Sequence, residues 1–283
     1  MSRIENNNTT PRRSILAANP LLRSLDNVNE HAPSNCATYG GITLKTIYFL
    51  LFSVVGIIVQ ISIAGMLAGE KSRVFSYKGF QVAVSQVELM VIIGVLIAGI
   101  ILQLLAKFVR VTTPVTGALY CVAQGYFISF LIFKVLSEHH LEYLGFLALV
   151  ITILIILVML ILYTTGIIRV TKKFRMVLST LFFTMIVISL FMFIGSFIPV
   201  FQPIIGAIRS NLPLSITFSV IFIIIAALFL VSDFNTIDHV VNDKLPKQYE
   251  WQAAFGLSFT VIWLYLKVLD LIVTIAGSSN KRK

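Results

Sequence analysis

Charge is what this chain has least of. Of 283 residues, 12% are Asp, Glu, Lys or Arg, against about 25% in an ordinary soluble domain. Cysteine is nearly absent as well. Cys36 and Cys121 form no CxxC and no metal spacing, so no disulfide framework is expected, and Cys121 reads as a small apolar packing residue. The usual catalytic signatures are missing: there is no HExxH, GxSxG, GxxxxGK[ST] or GxGxxG. The spacings of serine, histidine and aspartate suggest no triad, so neither an enzyme nor a resident cofactor is expected. Fixed-period repeats, low-complexity tracts and a second domain are lacking too.

What is present is hydrophobic sequence. The chain is 58% apolar, with a mean hydropathy of +0.94. A soluble protein of this length has too small a core for that much apolar surface, so hydrocarbon is the expected solvent and the lipid bilayer the expected surrounding. The net charge of +10 sits in short patches between apolar runs. No basic, aromatic surface is separable from those runs, which excludes nucleic acid and fits the positive-inside rule.

Seven segments have the length to cross ~30 Å of hydrocarbon as helices. They are placed near Leu44–Ala68, Leu89–Ala106, Pro114–Leu136, Tyr143–Ile168, Met176–Ile198, Leu214–Phe234 and Phe255–Ala276. None shows the strict alternation of a β-barrel, so the expected class is an all-α polytopic membrane protein. Residues 1–43 form a polar tail, 44–277 the helical domain and 278–283 a basic end.

Within the tail, Arg12-Arg13 precedes an apolar stretch too short for a signal h-region, so no cleaved leader is expected. Asn19-Pro20 resembles a helix start. Leu21, Leu22, Leu25 and Val28 then share one face. Either a short amphipathic surface helix or an unstructured tail follows from that pattern.

With the N-terminus inside, the inner connections carry 13 Lys and Arg and the outer ones 8. The bias favours a cytoplasmic N-terminus and, after seven spans, an outer C-terminus. Lys281-Arg282-Lys283 argues the other way, which leaves room for a re-entrant last segment.

Polar residues inside the spans are few. Gln60, Gln103 and Gln124 read first as helix-packing amides. Gly125 beside Gln124 would let another helix approach, and Gly94, Ala98, Gly99, Gly195 and Ser196 are packing candidates. His139-His140 with Glu138 and Glu142 forms either a metal-binding or titrating cluster or, more ordinarily, a solvated loop.

The last two spans differ. Asp233 is placed at the end of span six, with Asp238 and Asp243 beyond it, and Lys267 and Asp270 share one face of span seven. An intramembrane charge costs at least ~2.5–3.5 kcal/mol on insertion scales. Two readings stand. Lys267 and Asp270 could neutralise each other while Asp233 is a solvated helix end, or Asp233 could meet Lys267 or Asp270 across the helix interface. Asp233, Lys267 and Asp270 are the gate and pH-sensing candidates. Asp238, Gln124 and Glu250 are accessory candidates.

Four stretches resemble the Bax inhibitor-1/YccA family. One is Ala37-Thr38-Tyr39-Gly40-Gly41-Ile42 with Lys45-Thr46; another is Pro114 to Gly125. A third is Leu160 to Phe174, carrying Tyr163-Thr164-Thr165-Gly166 and Arg169-Val170-Thr171-Lys172-Lys173. The fourth runs from Ala226 through Asp233-Phe234 and Glu250-Trp251-Gln252-Ala253-Ala254-Phe255-Gly256-Leu257 to Leu266. Asn19-Pro20 is similar to the bacterial YccA-like branch.

The resemblance implies six helices around a central seventh, in a bacterial inner membrane. It also implies a pH-sensitive leak of cations, chiefly calcium. The alternative is a regulator that binds a membrane protease or another membrane partner, with the polar tail as its contact. The leak is attributed in the family to two acids, one on each of the last two helices. The first maps onto Asp233. The second, after Leu264-Tyr265-Leu266, falls on Lys267, with Asp270 one turn on. An Asp233–Lys267 pair would resist opening until strongly acidified, whereas Asp270 facing Asp233 would keep a two-carboxylate latch.

Overall fold

The computed structural model describes residues 36–67, 72–77, 80–136, 141–195, 198 and 200–280. The amphipathic stretch at Leu21–Val28, the histidines at 139 and 140, Ser196 and the basic C-terminal end lie outside them.

Long helices dominate: α1 (Tyr39–Met66), α2 (Gln86–Phe108), α3 (Thr113–Phe130), α4 (Tyr143–Thr164), α5 (Lys172–Gly195), α7 (Leu212–Asn242) and α8 (Tyr249–Asn280). All seven are long and apolar enough to cross a membrane. Their outward faces carry large exposed side chains such as Leu51, Ile97, Phe146, Ile161, Val187 and Ile224. In water that surface would be unstable, whereas in lipid it is the solvated one. The chain is therefore an all-α, multi-pass membrane protein.

Helix ends follow local chemistry. Ser85 and Glu88 form a capping box at the start of α2, in which the serine side chain and the glutamate each satisfy a free backbone N–H. Asn211 accepts the Leu214 N–H at 3.2 Å and opens α7. Between α7 and α8, Lys244 takes a positive φ of 53°, a left-handed conformation that ends a helix.

Three elements exceed the sequence expectation. A hairpin of β1 (Ser72–Tyr77) and β2 (Phe80–Ser85) pairs Tyr77 with Phe80 and Ser72 with Ser85. Its alternation of Phe80, Val82 and Val84 with Gln81, Ala83 and Ser85 is a strand signal, and Val82 and Val84 are buried against Leu136 and Leu144. A short α6 (Gln202–Ser210) precedes α7. A π-helical turn, Leu131–Leu136, extends α3.

The core is built on α8, which packs on α1, α3, α4 and α7 and reaches α5 where Trp263 stands 6.5 Å from Phe182. The α2 helix packs chiefly on α3. The closest pair is α1 with α3. A Cβ on Gly125 would fall 1.8 Å from the Ser53 carbonyl oxygen, so only glycine allows the backbones to touch there. Ser129 donates to Gln60 at 2.8 Å across the same interface. Gln124 lies beside Gly99 of α2, a packing position. By contrast Gly94 and Ala98 are exposed, so the small-residue face of α2 is used at Gly99 but not along its length.

Candidate functional site

The α7–α8 hairpin sets the level of every charge in the last two helices. Six residues join two long antiparallel helices, and side-chain contacts fix their register. Ser219 donates to Asp270 at 3.4 Å. Lys267 lies over the Phe222 ring at 4.9 Å, and Phe229 meets Trp263 at 5.9 Å. Asp233 is 14 residues beyond Ser219, or about 21 Å along α7 at ~1.5 Å per residue. Its level on α8 is near Gly256 and Leu257. The structure thus brings Lys267 and Asp270 to one end of the hairpin and leaves Asp233 three to four turns away.

Of the two open readings, the contact of Asp233 with Lys267 or Asp270 does not fit this register, and Asp233 is not a solvated helix end either, being buried within α7. The α7 helix does not stop at Phe234. It continues to Asn242, because the polar residues after Asp233 find partners on neighbouring helices instead of ending the helix. In an antiparallel hairpin the last turns of one helix stand beside the first turns of the next, so Asp233 faces the early part of α8 and not Lys267, which lies in its second half. Lys267 and Asp270 line a separate cavity of about 190 Å³ with Phe127, Leu131 and Trp263.

Asp233 itself is 0% exposed. Around its level α7 and α8 place a strip of buried polar residues within the apolar packing: Ser232, Thr236, Gln252 and Ser258. The Ser232 hydroxyl, the Asn235 amide nitrogen and the Gln252 amide oxygen have no hydrogen-bond partner among the described residues. Buried polar groups in folded proteins are nearly always satisfied, so this strip departs from ordinary core.

Beyond the strip, a cavity of about 800 Å³ opens between α1, α4 and α7. Asp238 stands in its wall. The Tyr39 hydroxyl donates to one carboxylate oxygen at 2.9 Å, and the Tyr163 hydroxyl donates to the other. One acid therefore ties three helices together. The i,i+5 offset from Asp233, ~140° around the helix, turns Asp238 to a different face. The cavity rim carries Arg169 and the Gly166 turn, with Phe234, Asn235 and Leu257 further in.

Glu250 organises the other side of this end. It is 0% exposed, ion-paired with Lys45 of α1, and accepts the Thr38 N–H at 2.8 Å and the Thr38 hydroxyl at 3.2 Å. Gly41 is required here, since a Cβ would fall 2.4 Å from both carboxylate oxygens. Lys45 also lies over the Trp251 ring at 4.9 Å. Ala37 donates to the Leu245 carbonyl at 2.8 Å, so the segment that enters α1 is fastened to the α7–α8 turn. Lys45 and Tyr163 were legible only as parts of larger stretches, because partners 205 and 75 residues away in the chain leave no trace in local spacing. No group of three or more metal-ligating side chains occurs among the described residues.

The same regions carry the likeness to known proteins. A family model described as Bax inhibitor 1 like matches residues 9–277. The chain belongs to that family. Neither a curated protein nor a solved structure matches it. In this Bax inhibitor 1 like protein, the match runs across all seven long helices and includes Asp233, Asp238, Glu250, Lys267 and Asp270.

Proposed function

We propose that this Bax inhibitor 1 like protein is a pH-modulated cation leak, with calcium as the favoured ion, in a bacterial inner membrane with its N-terminus cytoplasmic. The observation that carries the reading is Asp233: a fully buried carboxylate deep in an apolar helix, next to a cavity with an acid in its wall. An ionisable group at such depth is costly and is functional by default. Asp238 with its two tyrosines is the cytoplasmic vestibule. Asp233 and the partner-poor polar atoms around it are the selective station, and Lys267 with Asp270 forms a second, outer station.

Between the stations lies packed hydrocarbon. Ala226, Leu230 and Leu264 are wholly buried and Phe229 nearly so, so the arrangement is a closed one. Opening requires α7 or α8 to move. Protonation of Asp233, which removes a buried negative charge from the packing of α7 on its neighbours, is the trigger.

The second reading, a regulator of a membrane protease or another membrane partner, is favoured by the Thr38–Glu250–Lys45 clamp. A partner that holds the polar tail would pull directly on α8. Reconstitution into liposomes loaded with a calcium dye, between about pH 5 and pH 8, separates the two. A leak that varies with pH supports the first, and no flux above protein-free liposomes supports the regulator.

A further inference from the structure

Arg175 has no role in the gate so far, yet it is the most buried arginine described. It lies in the first turn of α5 and is 4% exposed, whereas Lys172 and Lys173 beside it face outward. Arg175 shares its face with Leu178, three residues on. Leu178 belongs to a buried cluster with Met185, Ile225 and Phe229, and Phe182 of α5 stands 5.4 Å from Phe229 of α7.

The two helices run in opposite directions. The α4–α5 link, with Ile168 and Val170, packs by Phe234 near the end of α7, while α6 joins the far end of α5 to the start of α7. Going back from Leu178 to Arg175, and on from Phe229 to Asp233, reaches one level to within about a helical turn of ~5.4 Å. An arginine side chain spans that difference. Arg175 is also within electrostatic reach of Tyr163, which places its head on the inward side of α4 and α7.

A buried guanidinium needs an anion. Four acids occupy this end among the described residues. Asp238 has both oxygens held by tyrosines, Glu250 is held by Lys45 and Thr38, and Asp243 is half-exposed beside His239. The fourth, Asp233, is as buried as Arg175 and stands at its level.

We propose that Arg175 is the counter-ion of Asp233: a tethered cation in the seat that a permeating cation must take. For its role in transport this rests on the proposed leak, but the pairing does not, and the two are tested separately. Thermal unfolding of the full chain in detergent is compared for Arg175→Gln, Asp233→Asn and the double variant. Each single change strands a buried charge and lowers the Tm. The double removes both charges and recovers more than half of the summed loss. Losses that simply add overturn the pairing.

If the single variants give no folded protein, a monodisperse double variant supports the pair, and a double that also fails overturns it. In calcium-dye liposomes, at a pH where the parent is closed, Arg175→Gln is expected to raise the leak several-fold. An unchanged leak overturns the tethered-cation role even where the unfolding data uphold the pair. A parent with no leak at any pH removes the proposed function and leaves the unfolding comparison intact.

Discussion

Glu250 is bound on every side that the fold offers it. A wholly buried carboxylate accepts from Lys45 and twice from Thr38, and its space exists because residue 41 is glycine. Removing one member of a buried pair leaves the other charge uncompensated, a loss of about 3 kcal/mol or more. Glu250→Gln and Lys45→Met are each expected to destabilise the protein by that order in denaturant titrations, and the double variant by less than the sum. Gly125→Ala acts differently, by pushing a methyl into the Ser53 backbone. It is expected to cost roughly 1–3 kcal/mol through strain, checked by thermal unfolding. At this scale the sequence exposes the odd charges and hides their partners. Asp233 stands out because apolar residues surround it. Arg175 does not, because it reads as one more basic residue in the Arg169–Arg175 run, and only helix packing turns it inward.

Helices α7 and α8 carry the largest difference between expectation and structure. Asp233, Asn235 and Asp238 look like the end of a span, since hydropathy falls there. The helix persists because Tyr39 and Tyr163 supply hydrogen bonds to Asp238, and it stops only at the left-handed Lys244 before Pro246. The register set by the Ser219–Asp270, Phe222–Lys267 and Phe229–Trp263 contacts holds Asp233 at the level of Leu257, about three turns from Lys267. The β-hairpin was legible in the alternation of Phe80 to Ser85, but hydropathy windows of helix length pass over so short a signal. The prediction at this scale concerns the joint of α1, α4 and α7. Tyr163→Phe removes a hydrogen bond to a carboxylate, a loss of about 1.5–3 kcal/mol. It is expected to speed hydrogen exchange in the last turns of α7 and leave the middle of α8 unchanged.

Seven apolar helices, their lipid-facing residues and the family are legible from composition and a few stretches, because the bilayer imposes length and polarity on any chain that crosses it. The apolar packing between Asp233 and the Lys267–Asp270 pair is not, since it depends on side chains from helices far apart in sequence. Orientation belongs to the whole molecule. The 13-to-8 bias of basic residues predicts that a cysteine introduced in the Gly166–Arg169 turn of a variant lacking Cys36 and Cys121 is labelled by an impermeant reagent from the cytoplasmic side alone.

The most direct test of the central claim is calcium entry into dye-loaded liposomes, measured for the parent and for Asp233→Asn between about pH 5 and pH 8. The parent is expected to leak with a clear pH dependence, and Asp233→Asn to shift or flatten that dependence at equal protein incorporation. Identical profiles for the two would contradict the account and leave Asp233 a buried structural charge.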